Sequence, residues 1–339
     1  GHRIDCAGAA LLSPSLVPLL LVAEQGREWG WGSTNAIICY VIGVVAAIGF
    51  LWQEYRMGEE AILPLAMFRN KTVGVASIAS VLIGVAMFGG LAALPLYQQI
   101  VKGATPTEAG LLLLPMTLGI MIGSILSGQI ISRTGRYRVF PIVGSALLTI
   151  SLFIFHYVAY DTPLWQTMIV MTMFGVGLGF NFQPLTLAVQ NAVPPQQIGV
   201  ATSTATFTRQ IGGTLGTAVF LSILFSTASE KITTALAAAV PTQEVQAALA
   251  DPANAAVAEQ FAAAQSGGGA ATSVLSDSSF LTGLDERLAK PFLIGFSEAM
   301  DLVFLTGSAV MVLGFLVMLM LPNFELRKSS GYSERVIAE

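Results

Sequence analysis

Eight runs of about twenty apolar residues, each closed off by charged or turn-forming residues, constrain this chain more than any other feature. A bilayer's hydrocarbon core is about 30 Å thick and an α-helix rises about 1.5 Å per residue, so about 20 apolar residues of helix cross it. The runs fall near 6–23, 34–53, 72–100, 109–131, 139–159, 164–190, 200–227 and 293–321, spans a to h in chain order. The fold class they predict is an all-α polytopic membrane protein with eight transmembrane helices. Composition agrees, because only 11% of the residues are charged and 54% are hydrophobic, whereas a soluble globule carries about a quarter charged residues.

Several function classes drop out on charge and residue counts. The net charge is −4, and no basic cluster is dense enough to follow a phosphate backbone, so no nucleic-acid partner is expected. Two cysteines and two histidines are too few and too scattered for a structural metal site or a disulfide framework. Cys6 and Cys39 fall near opposite faces of the membrane and read as packing residues. No cofactor is expected. The first apolar run has no upstream basic region and no small-residue cleavage site, so it is not a signal peptide. The chain begins at Gly1 rather than Met, which reads as a fragment.

Orientation follows from the lysine and arginine bias of the short loops. With residue 1 in the cytoplasm, that side collects Arg3, Arg56, Arg69, Lys71, Arg133, Arg136, Arg138, Arg327, Lys328 and Arg335, against Arg27 and Lys102 in the opposite short loops. An even number of spans then puts both ends in the cytoplasm. The domains expected are 1–71, two helices and a cytoplasmic loop; 72–321, a six-helix unit with an extracytoplasmic loop at 228–292; and a cytoplasmic tail at 322–339. The long loop is alanine-rich, broken by Pro241 and Pro252, and ends in the glycine run 267–269; short surface helices and a flexible link are expected there.

Ionisable groups inside a span are costly and by default mark function. The central parts of spans b to g hold no carboxylate, and the one buried charge is Arg209 on span g. It either snorkels towards the headgroups or serves as a counter-ion whose partner is a backbone carbonyl or a residue outside this chain. Around it the sequence is polar, with Asn181, Gln183 and Gln190 on span f and a run of serine and threonine on span g. Such groups glue helices together or line a wet cavity, and the three amides are assigned to the cavity as bulky substrate-pathway residues. Gly175, Gly177, Gly179, Gly212, Gly213 and Gly216 are read as surfaces for close helix approach. Glu298 and Asp301, one turn apart at the outer start of span h, are either a solvated helix end or the outer mouth of a pathway. His156, beside Tyr157 and Tyr160, reads as an interfacial residue.

The most specific motif lies between spans d and e, where 128–138 reads GQIISRTGRYR. Gly128 is read as a close-approach position and Gly135 as a tight turn, with Arg133, Arg136 and Arg138 free to pair with carboxylates or helix C-termini. The stretch resembles the cytoplasmic loop motif of the major facilitator superfamily in its second-half copy, with Ser132 where the family usually has aspartate. The run from Leu94 to Gln99, then Gly103, Pro106, Gly110 and Pro115, resembles the outer hairpin of the fourteen-spanner drug:proton antiporter branch, the QacA/EmrB type. Arg209 with Gly212, Gly213 and Gly216 is similar to that branch's penultimate span, and Arg3 and Asp5 with Gly8 resemble the start of its seventh.

The resemblance implies that spans a and b are two linker helices inserted between transporter halves, and that c to h form the C-terminal six-helix bundle of a major facilitator fold. It also implies a missing N-terminal half carrying the proton-handling carboxylates, a proton gradient as energy source, and a small amphipathic substrate in the bilayer. Multidrug efflux is the function expected; export of lipids or other metabolites, or a non-transporting scaffold or sensor, stays open. An enzyme is not expected, since no span pairs a nucleophile with a base.

Overall fold

The computed structural model describes residues 6–58, 61, 63, 65–254, 281 and 284–323. Outside it lie Arg3 and Asp5, the glycine run 267–269 and the basic residues Arg327, Lys328 and Arg335; the side chains of Cys6 and Arg27 are also not described.

Ten α-helices are described: α1 (Cys6–Trp29), α2 (Thr34–Met57), α3 (Lys71–Ile100), α4 (Pro106–Leu111), α5 (Leu114–Thr134), α6 (Val139–Phe155), α7 (Leu164–Asn191), α8 (Ile198–Ala239), α9 (Gln243–Leu249) and α10 (Glu286–Leu319). Seven of the expected apolar runs each fall on one helix, and the run 109–131 is divided between α4 and α5 by a turn at Leu112 and Leu113. Six stretches are long and apolar enough to cross a membrane, namely α2, α3, α4 with α5, α7, α8 with the turn before it, and α10. The other two runs form shorter apolar helices, Ala10–Ala23 within α1 and α6 itself.

Helix starts are set by local chemistry. Ser33 caps α2, Asn70 caps α3, and Thr105 with Glu108 closes a reciprocal capping box on α4. Gly135, at φ 69°, ends α5 in the left-handed conformation, and its N–H bonds to the Ile131 carbonyl.

The bundle is built from paired helices: α3 runs parallel to α8 and α5 parallel to α7, α10 lies against α3 and α6, and α6 against α7, while α1 and α2 pair with each other and touch α8 lightly. Lipid is as apolar as leucine, so such pairs are held by close van der Waals packing, which favours glycine at the contact. A Cβ on Gly175 would stand 2.1 Å from the Met116 carbonyl oxygen, and one on Gly119 2.4 Å from that of Thr172. At the α3–α8 crossing, a Cβ on Gly84 would stand 2.1 Å from the Arg209 oxygen and one on Gly212 2.1 Å from the Val81 oxygen. Gly144 and Gly177 make the same kind of contact between α6 and α7. Gly128 departs from its expected role: the nearest group to its missing Cβ is the Gln183 side chain at 3.8 Å. A Cβ there would be in ordinary contact with that side chain, so no close backbone approach depends on this glycine.

The stretch 228–239, expected within the long loop, continues α8 without a break. At about 1.5 Å per residue, 42 residues make a helix of about 63 Å, twice the hydrocarbon thickness. The cause is an apolar stripe that does not stop at the bilayer. Leu224, Ala228, Ile232 and Leu236 recur every fourth residue and are all buried, facing a matching face of α10 that includes Leu288, Phe292 and Phe296. Val245 and Ala248 of α9 are buried in the same core.

Candidate functional site

The polar residues of α7 sort themselves by helical angle. Gln183, Thr186 and Gln190 recur at three- and four-residue steps and share one stripe, whereas Asn181 is two residues from Gln183 and about 200° round the helix. Asn181 accordingly turns away from the other two amides. It is fully buried, its amide donates to the Gly177 carbonyl at 2.7 Å, and its oxygen lies 3.4 Å from the hydroxyl of Ser145 of α6, which itself donates to the Pro141 carbonyl at 2.6 Å. That is a helix-to-helix tie, and it corrects the placement of Asn181 in a cavity. Asn181→Ala is therefore expected to lower stability by about 1 kcal/mol or more while leaving substrate preference unchanged; melting of the purified protein and a competition assay would check both halves.

Gln183 is exposed, and its side chain makes no hydrogen bond with the described residues. Gln190 donates to the Thr202 hydroxyl at 3.0 Å, joining α7 to α8. On α8, Ser203, Thr206 and Gln210 are exposed on one stripe, and Arg209 stands at its edge. The threonines are not free groups awaiting a ligand: Thr202, Thr204, Thr206 and Thr208 each donate to the carbonyl four residues back. Unfilled hydrogen-bonding capacity on this face is left to Gln183, Ser203, Gln210 and Arg209.

Arg209 is fixed from both sides. Its backbone is pressed against Gly84 of α3, and its guanidinium lies 4.6 Å from the centre of the Phe182 ring of α7. Among the described residues it pairs with no carboxylate; the ion pairs present are Lys231–Glu298 and Arg287–Asp285. The partner expected from the sequence, a carbonyl or an outside residue, is thus joined by one the sequence reading missed. A guanidinium over an aromatic face gains about 0.5–2 kcal/mol, keeps its charge, and retains donors for a further group. The signal was present, since Phe182 sits between the two singled-out residues Asn181 and Gln183, but nothing in the spacing relates α7 to α8.

The arginine loop is anchored within the same bundle. Arg138 donates to the Leu319 carbonyl at 2.8 Å, in the last turn of α10, where a cation also complements the helix dipole. The Tyr137 hydroxyl donates to the Pro322 carbonyl, and burial pushes this phenol up to about 12. Arg133 and Arg136 are exposed, and the Ser132 hydroxyl turns back to the Gln129 carbonyl.

At the opposite end, Lys102 clamps the α6–α7 hairpin by donating to the carbonyls of Tyr160 and Thr162. Burial lowers its pKa, and the Asp161 carboxylate partly offsets this. His156, Glu298 and Asp301, scattered in the sequence, meet at this end together with Lys231: the His156 ring nitrogen Nδ1 lies 3.1 Å from the Asp301 carbonyl oxygen, and Lys231 is 3.6 Å from Glu298. Among the described residues, no group of three His, Cys, Asp or Glu is arranged to hold a metal.

Residues 7–217 match the Major Facilitator Superfamily. The chain is 37% identical over 317 residues to a tetracycline resistance determinant of Streptomyces rimosus, covering 93% of this chain and 90% of that protein. It is 35% identical over 206 residues to an uncharacterised MFS-type transporter of Mycobacterium tuberculosis, and 29% identical over 207 residues to an MFS-type efflux pump of a Fusarium species. Of these two it spans 30% and 37% of the length, with 60% of this chain aligned in each.

Proposed function

Because the chain belongs to the Major Facilitator Superfamily, whose members here are transporters and not enzymes, we propose that this multi-pass membrane protein contributes the C-terminal six-helix half of a proton-coupled efflux transporter. In this reading all eight apolar helices cross the bilayer, α1 and α2 are the inserted linker pair of a fourteen-span carrier, and α3, α5, α6, α7, α8 and α10 form the half. The arginine-loop end faces the bacterial cytoplasm, in keeping with the excess of exposed cations there. An N-terminal bundle supplies the opposing wall, as in carriers that rock two repeats about a midplane site. The activity and substrate of the whole transporter belong to the proposal.

The observation that carries it is the Arg209 guanidinium, about 17 Å along α8 from Ile198, stacked on Phe182 at the edge of a face that Gln183, Thr206 and Gln210 leave uncovered. A lone cation among neutral polar groups and aromatic surface suits an amphipathic small molecule with an anionic or strongly accepting group. Similarity to a tetracycline resistance determinant and to an efflux pump supports export as the direction.

The test is transport by the whole carrier in proteoliposomes. With the lumen made acidic and the arginine-loop end outside, a fluorescent amphipathic drug is expected to accumulate in the lumen, and a protonophore to abolish the accumulation. A scaffold or sensor would give no accumulation in either condition, and that result would remove the transporter reading.

A further inference from the structure

The half of a proton-coupled carrier described so far has no proton-binding group of its own on the Arg209 face. Four elements bring titratable groups together elsewhere, at the end opposite the arginine loop. Asp301 of α10 is half-buried, and its Oδ1 is enclosed with no hydrogen-bond partner among the described residues. His156, just beyond the end of α6, faces it through the 3.1 Å contact to its carbonyl. A carbonyl only accepts, so Nδ1 carries a hydrogen and donates it to that carbonyl. From α8 comes Lys231, paired with Glu298 one turn before Asp301. From α3 comes Tyr97, whose hydroxyl donates to the Ala159 carbonyl at 2.9 Å and which feels both Asp301 and Asp161.

An ionised oxygen enclosed without a donor is costly, and taking up a proton removes the charge. A neighbouring imidazolium, by contrast, favours the ionised form, as does Lys231. We propose that Asp301 and His156 form a proton-binding site in this half of the molecule, in which the Asp301 carboxylate takes one proton from the adjacent aqueous phase to become a neutral carboxyl. His156 and the Lys231–Glu298 pair set the pH at which it does so. The site deepens the proton-coupled reading and rests on it only for the use to which the proton is put. Binding itself requires neither substrate nor an opposing half.

Infrared difference spectra of the full chain in lipid vesicles, recorded as the buffer steps from alkaline to mildly acidic pH, read this site directly. The wild-type protein is expected to gain a protonated-carboxyl stretching band that Asp301→Asn lacks and Asp301→Glu retains at a shifted frequency. His156→Gln is expected to move the midpoint of that band by about one pH unit. Identical spectra for wild type and Asp301→Asn, or an unmoved midpoint in His156→Gln, would overturn the site. If the band behaves as expected while the whole carrier shows no gradient-driven transport, the transporter reading fails and the proton site stands; if transport occurs without the band, the reverse holds.

Discussion

A carrier bearing Arg209→Ala is expected to reach the membrane at wild-type levels and to lose export. The guanidinium is the single charge on the exposed polar face of α7 and α8, and its side chain ties no carboxylate, so removing it leaves no buried counter-charge stranded. The structural loss is the stacking on Phe182, about 0.5–2 kcal/mol, which a bundle of this size tolerates. The functional loss is a charge-assisted contact to the transported molecule. At about 1.5–3 kcal/mol for such a contact, transport falls by about tenfold to a hundredfold. Arg209→Lys keeps the charge but not the planar stack and is expected to fall between the two. Drug accumulation in proteoliposomes and membrane abundance on blots measure the two sides separately. Wild-type efflux by Arg209→Ala would remove this face from the pathway.

The second large effect concerns the glycine seams. Gly175→Val is expected to disrupt the α5–α7 pair, because its new Cβ would fall 2.1 Å from the Met116 carbonyl oxygen and neither backbone can yield locally. The helices must separate along the seam, which also takes apart the contacts at Gly119, Gly123 and Gly179. A cost of at least about 3 kcal/mol follows, at or beyond the upper end of ordinary overpacking. Gly128→Ala supplies the contrast: its nearest neighbour would be a flexible glutamine side chain at 3.8 Å, and a change below about 1 kcal/mol is expected. Thermal melting of both variants in detergent, read by loss of the monodisperse peak, checks the difference. Equal stability of the two would mean that the close approach at Gly175 does not hold the pair together. Gly84 carries the same logic into the site, since its seam partner is the backbone of Arg209 itself.

How much of this could be read before folding differs between helices and site. The positions of the helices were legible because each apolar run long enough for a bilayer leaves its backbone no cheaper arrangement than a helix. The glycines of α7 and α8 were legible for a related reason: small residues in a span are otherwise a poor use of lipid-facing surface. The length of α8 was not legible from apolarity averaged over a window. Glu230 and Lys231 interrupt the run at the expected bilayer edge, yet Ile232 and Leu236 keep the four-residue stripe going against α10. A periodicity count carried through the charged pair would have found it.

The site residues divide by whether one helix or two decides their role. Helical angle alone separates Asn181 from Gln183 and Gln190, so that distinction is present in the sequence. The meeting of Arg209 with Phe182, of His156 with Asp301, and of Lys231 with Glu298 was not available, because each joins helices whose relative rotation no local pattern encodes.

The sequence by itself determined that the chain is a bundle of long apolar helices, where most of them lie along the chain, though not how far α8 extends, and which end gathers the cations. These are properties of single segments against water or lipid. Only the tertiary structure decided which face of each helix is covered and which polar groups meet. That choice is made at the glycine crossings, where backbones touch and a rotation of one residue would bring a side chain into the contact.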